Sequence, residues 1–138
     1  MERTLLIVKP DATARRLAGE ILRRVERSGF EIQQLKVVRL TPEQARRFYA
    51  VHEGKPFLSA LCEYMASGPI VPALLEKENA IADLRLLIGA TDPTKAACGT
   101  LRYEIGETLQ RNSAHASDSP DSAAVEIPFF FGEESVLT

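Results

Sequence analysis

The first sustained pattern along the chain is Leu5-Leu6-Ile7-Val8, a continuous apolar run closed by Lys9-Pro10-Asp11. Such a run predicts a strand covered on both faces and stopped by a breaker, with Lys9 at its exit. From Arg15 the period becomes helical: Leu17, Ile21, Leu22 and Val25 share a stripe, Arg16, Arg23, Arg24 and Arg27 lie off it, and Ser28-Gly29 stops it. Phe30, Ile32, Leu35, Val37, Val38 and Leu40 predict a second strand with imperfect alternation. Thr41-Pro42-Glu43-Gln44 combines an N-cap, a proline at the first helical position and a Gln three residues past the cap, opening a helix through Phe48 and Tyr49.

A short helix follows Pro56 and runs through Leu61 and Met65 until Ser67-Gly68-Pro69 breaks it. Ile70 to Leu75 then predicts a strand, and Ala80 to Ile88 a helix closed by Gly89. Between Gly89 and Asn112 the periodicity weakens to a long excursion of the kind that carries function, with one helical turn around Leu101 to Leu109. Ser119-Pro120-Asp121 starts a last helix through Ala123, Ala124, Ile127 and Phe130. An interior proline costs a helix about 3 kcal/mol, so this one is expected to bend or change character near Val125 to Pro128. Strands alternating with helices predict an α/β sandwich, one sheet covered by helices.

Composition narrows the class. The 138 residues suit one domain, and 45% hydrophobic with 26% charged residues is too apolar for a disordered chain. A formal net charge of -2 gives no global attraction to nucleic acid or anionic membrane, so an anionic ligand must meet a local cluster. Cys62 and Cys98 stand apart without metal-ligand spacing and read as reduced thiols. Met1-Glu2-Arg3-Thr4 is not a signal peptide and no apolar run reaches bilayer length, so the expected compartment is the cytoplasm, with no membrane partner.

The densest polar stretch is Arg111-Asn112-Ser113-Ala114-His115-Ala116-Ser117-Asp118-Ser119. Small neighbours leave the imidazole of His115 open to approach, and a neutral histidine is a nucleophile whose phosphoryl adduct stays reactive enough to pass on. Glu126, about two helical turns past Ser119, can reach back and fix the tautomer. Lys9, Arg85 and Arg102 could neutralise a transferring phosphoryl group, because such transfer asks a protein mainly for positioning and charge. Thr91 and Asn112 could add neutral donors, and Phe57 and Tyr49 an apolar face or a hydroxyl for base and sugar. Taken singly, each has an ordinary explanation: a solvated loop histidine, surface charge, or core packing for the aromatics.

Assembled, these residues closely resemble the nucleoside diphosphate kinase family along nearly the whole chain. The matching segments are Glu2-Arg3-Thr4, Lys9-Pro10-Asp11, Phe48-Tyr49, Lys55-Pro56-Phe57, Ser67-Gly68-Pro69, Leu87 to Thr91, Gly99-Thr100-Leu101-Arg102 and Arg111 to Ser119. The resemblance implies a ferredoxin-like βαββαβ core, an α+β sandwich with an antiparallel sheet covered by helices. It also implies ping-pong transfer from a nucleoside triphosphate such as ATP to a diphosphate through phosphorylated His115, oriented by Glu126. Lys9, Tyr49, Arg85, Thr91, Arg102 and Asn112 would contact phosphates or ribose, Phe57 would stack on the base, and Mg2+ would be held mainly by nucleotide phosphates rather than by a protein cage.

One position departs from the family: Ala116 follows the histidine where glycine is usual, and it would be strained if the backbone there needs a positive φ. Two rival readings stand beside the enzyme: a catalytically weakened member acting as a nucleotide-binding regulatory protein, and a ferredoxin-like module binding RNA or a metabolite without chemistry. The acidic balance and the lack of an RNP-type aromatic motif count against RNA. Family members are commonly tetramers or hexamers, and the short tail, residues 131–138, favours a homo-tetramer.

Overall fold

A computed structural model describes residues 1–132. Strand β1 (Glu2–Val8) leads into helix α1 (Pro10–Ala14), α2 (Ala18–Arg27), β2 (Glu31–Leu35), α3 (Pro42–Phe48), α4 (Leu58–Met65), β3 (Val71–Lys77), α5 (Ala80–Ile88), α6 (Leu101–Ile105), β4 (Ala114–Ala116) and α7 (Pro120–Phe131). The strands form one antiparallel sheet in the order β2-β3-β1-β4. This is the ferredoxin-like α+β arrangement expected from the resemblance.

The unbroken apolar run of β1 has a direct cause. Leu6 and Val8 enter one core cluster with Ile21 and Val25 of α2, Leu84 and Ile88 of α5, and Leu101 and Ile105 of α6. Leu5 and Ile7 enter a second with Ala45 and Tyr49, Leu58, Cys62 and Met65 of α4, and Ala123, Ile127 and Phe130 of α7. Successive residues of a strand face opposite sides, so a strand between two helical layers has no polar face to show.

The caps read from sequence hold. Thr41 accepts from the Gln44 amide at 3.1 Å while the Gln44 side chain accepts from the Thr41 amide at 2.9 Å, completing a capping box. Ser119 accepts from the Ser122 amide at 3.1 Å and starts α7.

Some expectations need correction. The helix placed from Arg15 begins at Ala18, because α1 occupies Pro10–Ala14 and Arg16 adopts a φ of 60° between the two. The second strand ends at Leu35 after a register shift between Ile32 and Gln34, with Val38 pairing to Ile70 as an isolated bridge. Helix α7 remains α-helical through Pro128 to Phe131 instead of changing character. Proline deprives only the Ala124 carbonyl of its helical donor, and Ala124 faces solvent, where water replaces the bond.

Pro128→Ala restores that donor at the expense of a floppier unfolded chain, and the two effects oppose each other. A net gain of about 1 kcal/mol in denaturant unfolding is expected. An unchanged or lowered midpoint would mean that the ring packs against its neighbours better than the backbone argument allows.

Candidate active site

His115 is the middle residue of the three-residue strand β4, paired with Ile7 of β1. Its side chain is mostly enclosed, with the edge of Phe48 against the ring at a centroid separation of 5.6 Å. Nε2 lies 2.9 Å from Glu126 Oε1. A carboxylate at that distance favours the proton on Nε2 and leaves Nδ1 with its lone pair free. Glu126 is brought there by α7, and its same oxygen also accepts from Ser117 Oγ at 2.8 Å. Ser117 is fully buried and clipped to β1, its amide donating to the Leu5 carbonyl at 3.2 Å.

The cleft beside the imidazole has a volume of about 620 Å3, and every candidate residue from the sequence lines it: Lys9, Tyr49, Phe57, Arg85, Thr91, Arg102, Asn112, His115 and Glu126. Lys9, at the end of β1, donates from Nζ to Asn112 Oδ1 at 2.9 Å. Burial, reinforced by Arg102 and opposed by Asp11, pushes its ammonium down to about 8. Arg102 donates to the carbonyls of Gly89 at 2.9 Å and Ala114 at 2.6 Å, and burial next to Arg85 lowers its guanidinium to about 10. Asn112 spends its amide on the carbonyls of Thr91 at 2.8 Å and Leu109 at 3.0 Å. At the mouth, Phe57 and Leu109 are both exposed.

Two buried polar atoms of residues lining this space have no hydrogen-bond partner among the described residues: Tyr49 Oη and Arg102 Nε. Burial, helped by the charge of Glu126, also holds the Tyr49 hydroxyl protonated well above its ordinary range. Cations depressed by burial and by a neighbouring cation, next to unspent donors, describe a place that gains from an anion.

Gly89 closes α5 with a φ of 94°, and a Cβ there would come within 2.5 Å of Thr100 Oγ1. Only glycine lets α5 and α6 approach closely enough for Arg102 to reach the Gly89 carbonyl. Ala116 has no positive φ: among the described residues only Arg16, Asn79 and Ser113 do so without being glycine. Its methyl therefore sits unstrained opposite Leu6.

Sequence reasoning passed over Ser117, although period two along a strand puts residues 115 and 117 on one side. It also passed over Asp118, which lines the cleft and whose carboxylate is held below the ordinary range by a 2.5 Å bond from Ser122 Oγ.

Fold and site together define an α+β protein in which a carboxylate-held histidine faces a cation-lined cleft suited to phosphate esters. Comparison with known proteins supplies the particular family. The family model described as nucleoside diphosphate kinase matches residues 2–136. Nucleoside diphosphate kinases of Chlorobaculum parvum and Persephonella marina are 52% and 50% identical, each over 99% of this chain and 98% of theirs. The solved enzyme of Aquifex aeolicus superposes with a TM-score of 0.94 at 47% identity, covering 98% of both chains. A halophilic nucleoside diphosphate kinase from Halobacterium salinarum, solved in complex with CDP, gives 0.93 at 38% identity over 99% of this chain and 91% of its own. The chain belongs to the nucleoside diphosphate kinase family. It is a nucleotide-binding transferase that moves the terminal phosphoryl group of a nucleoside triphosphate to a nucleoside diphosphate.

The burial of Lys9 has a consequence for stability. Below about pH 8 the ammonium is charged in both folded and unfolded chains, and folding bears the whole cost of burying it, of order 3 kcal/mol. Between about 8 and the ordinary value of 10.5 the unfolded chain holds the proton more tightly, so this group makes stability rise with pH. Lys9→Met should therefore be more stable than the parent near neutrality, by about 1–3 kcal/mol after the loss of the Asn112 bond, with the advantage fading as pH passes 8. Urea denaturation of both proteins from pH 6 to 10 measures this, and a pH-independent difference would refute it.

Proposed function

We propose that all 138 residues act as one nucleoside diphosphate kinase domain in which His115 is the residue that is phosphorylated. The observation that carries this is the Nε2 to Glu126 contact of 2.9 Å, which fixes the ring and leaves Nδ1 as its attacking nitrogen in a cleft lined by Lys9, Arg85 and Arg102. As the bond from Nδ1 to the γ-phosphorus forms, the bond from that phosphorus to the bridging oxygen breaks, and the diphosphate leaves with the electron pair. A second diphosphate then occupies the vacated cleft, and its terminal oxygen takes the phosphoryl group while Nδ1 recovers its lone pair.

Each remaining residue has a part set by its position. Lys9 and Arg102 neutralise charge on the transferring group and the leaving oxygens; Arg85, at the rim, meets the outer phosphates. Tyr49 and Asn112 supply neutral donors toward phosphate and ribose, with Thr91 beside them. Phe57 provides a flat apolar platform for the base, which suits low base selectivity because every base has a π-face. Glu126 holds the imidazole, supported by Ser117.

Mg2+ is expected as the metal of the nucleotide. The carboxylates lining the cleft are Asp118 and Glu126, and Glu126 is engaged by His115 and Ser117, so the residues present fit an ion held mainly by phosphates with Asp118 as the protein oxygen within reach. When bound, the ion would offset phosphate charge.

We assign the protein to the cytoplasm and to a homo-oligomer, with the tetramer ahead of the hexamer. Support for self-assembly comes from edge strand β2, whose outer side is exposed and continues into exposed Val37. The tail that favours a tetramer lies largely outside the described residues. Ala116, unstrained in β4, gives no ground for reading a weakened enzyme.

His115→Ala should lose transfer by at least about a thousandfold and keep its fold. Incubation of the parent with γ-labelled ATP should give an acid-labile, alkali-stable adduct that ADP discharges, with parallel-line kinetics; label retained in the alanine variant would place the nucleophile elsewhere. Ala116→Gly should transfer at least as fast as the parent and lose about 1 kcal/mol or less of stability. A clearly slower glycine variant in single-turnover phosphorylation would show that the methyl holds β4 in its working shape.

A further inference from the structure

Asp11 takes no part in the chemistry above, yet its carboxylate is fully buried and heavily bonded. Ser113 donates to it twice, from its amide to Oδ1 at 3.2 Å and from its hydroxyl to Oδ2 at 2.9 Å. Arg15 Nη2 donates to Oδ2 at 3.2 Å, and the Tyr64 hydroxyl donates to Oδ1. Tyr64 accepts in return from the Asp11 amide at 3.0 Å, locking the two residues as a unit.

Ser113 stands two places before His115 and has a φ of 78°. The Ala114 amide donates to the Asn112 carbonyl at 3.0 Å, which closes a γ-turn centred on Ser113. With positive φ this turn is rare and strained for a residue carrying a Cβ, and it persists only where its surroundings over-determine it. Here they do so from several sides: the Lys9 amide donates to the Ser113 carbonyl at 2.9 Å, Asp11 grips its amide and hydroxyl, and Arg15 reaches both its hydroxyl at 3.3 Å and the Ile105 carbonyl at 2.7 Å.

The turn lies between the two halves of the site. On its N-terminal side Asn112 meets Lys9, Thr91 and Leu109; on its C-terminal side Ala114, held by Arg102, starts the strand that presents His115. A change at Ser113 therefore alters the offset between the phosphate-binding cations and the imidazole.

We propose that Asp11 is a positioning residue for phosphoryl transfer: by holding both donors of Ser113, its amide and its hydroxyl, it maintains the strained γ-turn that sets His115 relative to Lys9 and Asn112. The proposal rests on His115 being the nucleophile. It gives the motif Lys9-Pro10-Asp11 a divided role. Lys9 enters the cleft, Pro10 turns the chain into α1, and Asp11 reaches back across to the loop that carries the histidine. A carboxylate suits the position because both of its oxygens must accept. An asparagine would present an amino group toward Arg15.

The test uses full-length Asp11→Asn and Ser113→Ala with the parent as control. Melting temperature, ADP affinity by calorimetry, single-turnover phosphorylation by ATP and the ring 15N signals of His115 are measured on each. Both variants should fold and hold ADP within about threefold of the parent, while phosphorylation slows at least about tenfold in Asp11→Asn and about threefold in Ser113→Ala, with shifted ring signals. Parent-like rates and ring signals in folded variants would overturn the proposal, as would a rate loss matched by an equal loss of ADP affinity. If Asp11→Asn does not fold, Ser113→Ala, which keeps the carboxylate and its bond to the amide, decides alone. A parent that takes no label on His115 would instead remove the nucleophile assignment, an outcome distinct from a labelled parent with unaffected variants.

Discussion

Strand β4 has three residues, too few to hold a place in a sheet by backbone pairing alone, and its register against β1 sets Ile7 opposite His115. The site depends on that short pairing being reinforced. At one end Ser117 is tied to Leu5, at the other the Lys9 amide meets the Ser113 carbonyl, and from the side Arg102 grips the carbonyl of Ala114. Lys9 follows directly on β1, the strand that anchors both core layers and pairs with His115, so the imidazole and the ammonium share one rigid support. A site built on a central strand is held more tightly than one built on loops.

The electrostatics run against stability and toward binding. Burial lowers the ionisation of both Lys9 and Arg102, with Arg102 adding to the effect on Lys9 and Arg85 to that on Arg102, and Tyr49 and Arg102 each keep a buried donor unspent among the described residues. The bonds to Asn112 and to the carbonyls of Gly89 and Ala114 offset only part of that cost of desolvation. A polyphosphate would supply charge and acceptors to these groups, which are already held in place by the fold.

Much of this was legible in the sequence, for identifiable reasons. Strand β1, the capping box at Thr41 and the start of α7 at Ser119 are local signals of period and cap chemistry, and the structure keeps them. The candidate residues were gathered by their chemistry and by resemblance, and the fold sets all of them around one cleft. Helix α1 escaped because five residues carry no period. Asp11 is not legible locally because its partner Ser113 lies 102 residues away, and Ser117 because its bond to Glu126 depends on how α7 folds back beside β4. The helix runs on through Pro128 because the residue whose carbonyl loses its donor, Ala124, is exposed, a matter of facing that the sequence of the helix does not encode.

The edge contact of Phe48 with the imidazole belongs to a wider set in which the same ring meets Tyr49, Phe129 and Phe130 at centroid separations of 4.9 to 5.3 Å. A histidine ring flanked by that wall and tethered to Glu126 resists a half-turn about its Cβ–Cγ bond. Its two nitrogens therefore keep their places, Nε2 at Glu126 and Nδ1 away from it. Since attack by one or the other yields different regioisomers of phosphohistidine, with different rates of spontaneous hydrolysis, on the proposed mechanism the aromatic wall beside the imidazole would determine the isomeric identity, and hence the lifetime, of the intermediate.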